Sequence, residues 1–103
     1  MKIQINDKSI PLRDANTLGK KIIGLMFKKN INYTLRLRCN GIHTFFMREK
    51  IDVILTDKTN NVLFIYRNLN KNRIILPKKN VYYTYELPKN TIKEKIKKIR
   101  IVD

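Results

Sequence analysis

The segment Tyr33-Thr34-Leu35-Arg36-Leu37-Arg38-Cys39 carries the clearest strand pattern of the chain. Its apolar residues fall on alternate positions, whereas Leu18, Ile22 and Met26 recur at every fourth position. Because successive side chains of a strand lie on opposite faces, the alternation predicts a half-buried strand whose outer face carries Arg36 and Arg38. The earlier four-residue spacing predicts one short helix near 17–24.

The remainder of the chain repeats the strand signal. Residues 51–56 and 62–66 are apolar on both faces, which predicts central strands near 51–57 and 62–67. Leu37 and Phe64 are expected in the core. Further strands are predicted near 1–5, 33–39 and 81–87. A turn of helix within 92–99 is predicted to precede a last strand at the C-terminus. The sequence therefore predicts a single α+β domain over 1–103, mostly antiparallel β, with a curled sheet or small barrel of short strands and one short helix in the N-terminal half.

Length and composition limit the class of protein. The chain has 103 residues, and its hydrophobic fraction of 43% is sufficient for a folded domain. Its single cysteine cannot form an internal disulfide. No apolar run approaches the roughly 20 residues of a transmembrane helix, and residues 1–7 alternate like a strand rather than resembling a signal peptide. We therefore expect a cytoplasmic protein with no transmembrane segment.

The formal net charge of +15 has two explanations. One is a polyanionic partner, either nucleic acid or an anionic membrane surface. The other is composition, because Ile, Lys and Asn have AT-rich codons and an AT-rich genome would enrich lysine at exposed positions. Lysines outnumber arginines by 16 to 7, whereas base and phosphate recognition favours the bidentate guanidinium. The charge alone leaves both explanations open.

Four sequence blocks indicate a relationship to known proteins. They are Ile23-Gly24-Leu25-Met26-Phe27-Lys28, the segment from Cys39 to Arg48 with His43-Thr44-Phe45-Phe46-Met47 at its centre, Ile51-Asp52-Val53, and Tyr85-Glu86-Leu87-Pro88. In order and spacing these blocks resemble the small prokaryotic family known as domain of unknown function 192, over about residues 16–103. The chain departs from the family pattern at Asn90, where glycine is usual, and near Asp103, where Gly-Asp is frequent. The resemblance implies a small β-rich fold and no settled activity, cofactor or partner.

Cys39 and His43 are the only residues of their types. On a continuous strand their spacing would place them on one face, as a nucleophile with its base or as two metal ligands. Gly41 is expected to interrupt such a strand, and the chain lacks a further cysteine or histidine for a structural zinc site. We predict no metal and no cofactor. A Cys/His-dependent enzyme stays an alternative to a buried Cys39 and a His43 satisfied by backbone groups.

Asp52 and Glu86 are embedded in apolar strands, where a charge is costly unless it is paired. One explanation is a structural ion pair with Arg48, and the other is the polar floor of a ligand pocket. The neighbouring Phe45-Phe46-Met47 is expected in the core. Which explanation holds depends on whether the carboxylates meet a cation or a cavity.

The leading prediction is a ligand- or partner-binding module of unknown specificity, for a small ligand or a protein. Its candidate site comprises His43, Thr44, Met47, Arg48, Asp52 and Glu86, of which His43, Arg48 and Glu86 are expected to surround one concavity. In this arrangement Arg48 would hold an anionic group, His43 would donate or accept a hydrogen bond, and the two carboxylates would orient them.

The main alternative is a nucleic-acid-binding protein that uses its basic faces. Its candidate residues are Arg36, Arg38, Lys95, Lys97, Lys98 and Arg100. Tyr82 is the aromatic residue of the 81–87 strand that is expected to face away from the core, and one exposed aromatic ring is a poor platform for stacking bases.

Overall fold

The computed structural model describes residues 1–5, 8–15, 25 and 28–102. These residues form nine strands. They are β1 (Lys2–Ile5), β2 (Lys8–Ala15), β3 (Thr34–Leu37), β4 (Ile42–His43), β5 (Ile51–Thr56), β6 (Val62–Leu69), β7 (Ile74–Ile75), β8 (Tyr83–Pro88) and β9 (Arg100–Val102).

Seven of the strands form one curled sheet in the order β6-β5-β8-β3-β2-β1-β9. Neighbouring strands are antiparallel except β2 and β3, which run parallel. β8 lies between β3 and β5, so Glu86 is opposite both Leu35 and Val53. β4 and β7 form a second, two-stranded sheet in which Ile42 is opposite Ile75.

The two edges of this sheet, at β6 and β9, approach each other beside the β5–β6 turn. Asn61 forms an isolated antiparallel bridge with Lys98, just before β9. The Val62 amide donates to the Lys97 carbonyl at 2.8 Å, and the Ile99 amide donates to the Asn60 carbonyl at 2.9 Å. The C-terminal segment therefore contacts the start of β6 and then pairs with β1, which holds the sheet in its curled form.

The predicted α+β class is wrong, because the described residues contain no helix and their fold is mostly β. The helix predicted near 17–24 lies outside the described residues. The turn of helix predicted within 92–99 is absent, because this segment is irregular up to the Asn61–Lys98 bridge. Ile92 and Ile99 are nevertheless buried, because their side chains pack in the hydrophobic cluster that contains Ile54 even though the segment is irregular. No described helix is long and apolar enough to cross a membrane.

The strands predicted near 33–39, 51–57, 62–67 and 81–87 all belong to the curled sheet. Leu37 is 1% exposed and lies in the core, as predicted. β6, however, is an edge strand and not a central one. Its apolar residues therefore stay partly in solvent, and Phe64, predicted to be core, is 41% exposed.

The curled sheet is buried on both faces at β5, where all six residues are buried. Val53 belongs to one hydrophobic cluster and its neighbour Ile54 to the other, as strand alternation requires. The Val53 cluster is covered by the layer that contains β4 and β7, through Met47, Ile75 and Val81 among others. Residues 38–49 and 70–81 thus form an outer layer over the sheet, and this layer carries the central sequence block.

Candidate functional site

Asp52 is fully buried, and its carboxylate binds three backbone amides. Oδ1 accepts a hydrogen bond from Asn68 at 2.8 Å, and Oδ2 accepts from Thr91 and Ile92 at 2.8 and 2.7 Å. The carboxylate satisfies donors near the end of β6 and after β8 that burial would otherwise leave unpaired. Asp52 therefore has a structural explanation that needs no ligand.

Thr44 and Met47 are also buried. The Thr44 hydroxyl donates to the Asn70 carbonyl and accepts from the Arg73 amide, both at 2.8 Å. The Thr44 amide in turn donates to the Arg73 carbonyl at 2.8 Å. These bonds hold the chain after β4 against the chain before β7, while Met47 packs in the Val53 cluster.

Glu86 is 5% exposed and lies opposite Leu35 and Val53 in the centre of the sheet. Burial raises the pKa of Glu86 to about 7, although the Leu25 amide, which donates to its carboxyl group, opposes this rise. Among the described residues its Oε1 has no hydrogen-bond partner. The side chain therefore retains a proton at pH values where an exposed glutamate is charged.

His43 and Cys39 have different surroundings. His43 is exposed at the end of β4, where its Nδ1 accepts a hydrogen bond from the Phe45 amide at 3.2 Å. Cys39 is partly buried against the Val53 cluster, and its carbonyl accepts from the Thr84 hydroxyl at 3.1 Å. Gly41, with a φ of 99°, lies between β3 and β4, so the two residues do not share one continuous strand. Within the described ranges, no three His, Cys, Asp or Glu side chains are grouped as metal ligands.

The aromatic pair of the central block is exposed, contrary to the expectation of a core position. Phe45 and Phe46 are 37% and 63% exposed, and Ile74 and Leu76 are 60% and 69% exposed. The reason is that the two-stranded sheet packs Ile75 inward and leaves the opposite side in solvent. His43 is paired with Ile74 and stacks on Phe45, with ring centroids 5.2 Å apart. We call His43, Phe45, Phe46, Ile74 and Leu76 the outer apolar face.

Arg48 lines a cleft of about 400 Å³ that we call the basic cleft. Its lining residues come from four separate parts of the chain. They are Lys29, Asn30, Arg48, Glu49, Lys50, Lys71 and Lys89. Five cationic side chains thus surround one carboxylate.

The Glu49 carboxylate already has a hydrogen-bond partner and an ion-pair partner within the protein. Its Oε1 accepts from the Ile31 amide at 3.3 Å, and its Oε2 lies 3.4 Å from the Lys89 ammonium nitrogen. Desolvation raises the pKa of Glu49, but the hydrogen bonds from Ile31 and Lys89 outweigh it and hold this pKa below its ordinary value. Glu49 therefore offsets only part of the positive charge in the basic cleft.

Arg48 is the only member of the predicted ligand set among the residues that line the basic cleft. Asp52, Thr44, Met47 and Glu86 are buried, and His43 belongs to the outer apolar face. In the described part of the chain the ion pairs are Arg36–Asp14 and Lys89–Glu49, so neither buried carboxylate pairs with Arg48. Ligand binding by the full set stays a prediction.

The predicted nucleic-acid-binding residues fall into two groups. Arg36 donates two hydrogen bonds to Asp14, at 2.6 and 2.9 Å, and these bonds raise the pKa of its guanidinium. Arg38 is exposed, with its guanidinium carbon 4.7 Å from the centre of the Tyr82 ring. The second group is exposed on the C-terminal segment and comprises Lys95, Lys97, Lys98 and Arg100.

Sequence reasoning missed most of the basic cleft. Lys50 lies two positions from Arg48, and this pair of neighbouring cations was the one local indication of a basic site. Lys29, Lys71 and Lys89 are far from Arg48 in sequence and resemble the other lysines of a lysine-rich chain. Only the packing of the outer layer on the sheet brings them to one cleft.

Comparison with known proteins identifies the class to which this fold belongs. A model of the family DUF192, described as uncharacterised, matches residues 1–99, and the chain belongs to that family. It is 39% identical over 92 residues to a UPF0127 protein of Pyrococcus horikoshii, covering 84% of this chain and 78% of the relative. It is 37% identical over 86 residues to a UPF0127 protein of Thermococcus kodakarensis, covering 77% of this chain and 54% of the relative. The chain thus spans about half the length of the Thermococcus relative.

Two solved structures share the fold at 12% sequence identity. A protein described as a putative transcription regulator from Sinorhizobium meliloti matches with a TM-score of 0.80, over 96% of this chain and 89% of its own. A protein of unknown function from Novosphingobium aromaticivorans matches with a TM-score of 0.74, over 86% of this chain and 71% of its own. At this identity the likeness shows the fold alone.

Proposed function

We propose that the protein is a binding module for a small, multiply charged anion, such as a phosphate-bearing molecule, and that the basic cleft is its site. The observation that carries this proposal is the group of five cations around a single carboxylate, that of Glu49, which already pairs with Lys89. Like charges in one cleft repel one another, so an anion that enters relieves this repulsion while it gains attraction from each cation.

The lining residues supply complementary kinds of contact. Arg48 offers a planar guanidinium that binds two phosphate oxygens at once, whereas Lys50 and Lys71 act as mobile point charges. Asn30 adds an amide that can donate to a phosphate oxygen. Glu49 holds Lys89 at the cleft through their 3.4 Å contact. This combination suits a ligand with several negative oxygen atoms rather than a single carboxylate.

Titration with inorganic pyrophosphate, followed by NMR chemical shifts at constant ionic strength, tests the proposal. We expect saturable shifts centred on the lining residues. Arg48→Gln should weaken binding roughly tenfold, the effect of losing about 1.4 kcal/mol of charged hydrogen bonding. Arg100→Gln makes the same charge change outside the cleft and should leave the affinity within about twofold. Equal losses for the two variants, or shifts spread over all lysines, would refute the site.

A specific observation favours nucleic acid as the second candidate. The Tyr82 ring has Arg38 at 4.7 Å and Lys58 at 5.8 Å from its centre, and it packs edge-on against Tyr83 at 4.7 Å. Two aromatic rings with neighbouring cations can stack on bases while the cations contact phosphates. The sequence predicts that Tyr82 alone faces away from the core, but Tyr82 and Tyr83 are both partly buried, so the candidate stacking surface has two rings rather than one.

Fluorescence anisotropy with single-stranded oligonucleotides at low and physiological salt tests this candidate. We expect sequence-tolerant binding that weakens steeply with salt. Tyr82→Leu should reduce affinity at both salt concentrations, because stacking is lost while the net charge is kept. Replacing Lys95, Lys97 and Lys98 with Gln should weaken binding to all sequences alike if the C-terminal segment contributes. Absence of binding at low salt would eliminate nucleic acid as a partner.

A further inference from the structure

The outer apolar face is the main exposed apolar surface of the described residues. Of their seven exposed large hydrophobic side chains, four belong to it: Phe45, Phe46, Ile74 and Leu76. Phe46 and Leu76 are 63% and 69% exposed, more than any other of the seven. Several strongly exposed apolar side chains in one layer of a small domain indicate an interaction site.

The backbone supports this outward presentation. The chain turns at Phe46, whose φ is 63°, directly after the residue that stacks on His43. Ile75 is buried between the exposed Ile74 and Leu76, so the β7 segment is anchored on its inner side. Thr44 ties the two segments together through its bonds to Asn70 and Arg73. The exposed side chains therefore stand on a fixed two-stranded support.

The charges of the outer layer are mostly positive. Residues 38–49 and 70–81, which build this layer, contain six cations and one acidic residue, Glu49, whose carboxylate already contacts Lys89 and the Ile31 amide. The six cations are Arg38, Arg48, Lys71, Arg73, Lys78 and Lys79. Arg73 directly precedes Ile74, and Lys78 follows Leu76 by two positions. An apolar surface on a layer with a clear excess of positive charge is complementary to a surface that is apolar inside and anionic outside.

We propose that the outer apolar face docks on an anionic lipid bilayer. The exposed Phe46 and Leu76 side chains enter the boundary between headgroups and acyl chains, and the flanking cations contact lipid phosphates. Lysine is depleted at the centres of protein–protein interfaces, so several lysines beside the apolar side chains favour a lipid surface over a protein. Phe46 and Leu76 do not line the basic cleft, so the apolar part of this inference is independent of the proposed function, whereas Arg48 and Lys71 belong both to the cleft and to the flanking cations.

Co-sedimentation with vesicles provides the test. The wild-type protein should bind vesicles of equal parts phosphatidylglycerol and phosphatidylcholine, and it should not bind phosphatidylcholine alone. The double variant Phe46→Ser/Leu76→Ser should lose at least roughly tenfold in affinity, because each side chain contributes apolar burial at the interface. Two single variants give the matched comparison: Leu76→Ser should weaken binding, whereas Leu63→Ser removes the same residue type from a partly exposed position on β6 and should keep binding.

The outcomes separate the alternatives. Equal binding by Leu76→Ser and Leu63→Ser would mean that charge alone attracts the protein, and it would overturn the proposal. Failure of the wild type to bind anionic vesicles would overturn it as well. If the wild type instead self-associates in sedimentation velocity and Phe46→Ser/Leu76→Ser abolishes this, the face is a protein interface and the lipid proposal fails. Pyrophosphate titration of Phe46→Ser/Leu76→Ser should match wild type, so the basic cleft is tested separately.

Discussion

The Asp52 carboxylate accepts a hydrogen bond from the backbone amide of Ile92 at 2.7 Å, across 40 residues of sequence. The same oxygen accepts from Thr91, and the other oxygen accepts from Asn68. One buried side chain thereby connects β5 to the end of β6 and to the segment that follows β8. The first prediction concerns this junction.

Asp52→Asn should destabilise the fold by about 3 kcal/mol, because the amide group that replaces one oxygen faces a backbone donor and leaves it unpaired. The matched control is Asp57→Asn. Asp57 also accepts from two backbone amides, those of Thr59 and Asn61, but it does so in an exposed turn where water can replace the lost bonds. Urea unfolding should show a clearly smaller loss for Asp57→Asn, and equal losses would contradict the role of burial.

Glu86 should make stability fall as the pH rises. Its pKa is raised from 4.5 to about 7 in the folded protein, so between these values the folded state binds more protons than the unfolded state. The free energy of unfolding should therefore decrease by roughly 3 kcal/mol from below pH 4.5 to above pH 7 through this group alone.

Glu86→Gln isolates the effect, since it keeps the shape of the side chain and removes the ionisation. The difference in unfolding free energy, variant minus wild type, should grow across this pH window and then level off. Urea unfolding at a series of pH values measures it. Parallel stability curves for the two proteins would show that Glu86 titrates normally.

Thr44 should contribute to the stability of the fold mainly through the hydrogen bonds of its hydroxyl. Thr44→Val keeps the volume but leaves the Arg73 amide and the Asn70 carbonyl without their partner, which should cost about 1–3 kcal/mol. Thr44→Ser keeps both bonds and should be the milder change. Hydrogen exchange at the Arg73 amide should accelerate in the valine variant more than in the serine variant, and the reverse order would exclude this role.

Leu37 and Phe64 should differ in their contributions to stability although both are apolar strand residues. Leu37→Ala removes a 1% exposed side chain from the core and should cost about 2–5 kcal/mol. Phe64→Ala removes a 41% exposed side chain from an edge strand and should cost about 1 kcal/mol. A larger loss for Phe64→Ala in urea unfolding would mean that the edge of β6 is covered in solution.

Much of the strand content could be predicted because it is local. The alternation in residues 33–39 and the apolar run in 51–57 report which faces of each strand are buried, and both segments are strands of the sheet. The same signal failed for β6, since an apolar pattern does not reveal whether a strand has one neighbour or two. It failed again for Phe45 and Phe46, which occur in a hydrophobic block and yet lie in solvent.

The strand-rich character of the chain, its family and its positive charge follow from residue order and composition. The grouping of Lys29, Arg48 and Lys71 around one cleft, and the hydrogen bonds from backbone amides to Asp52, arise from three-dimensional packing. These groups are far apart along the chain. Side-chain alternation acts between neighbouring residues, whereas strand order and the packing of the outer layer bring together groups that no local pattern connects.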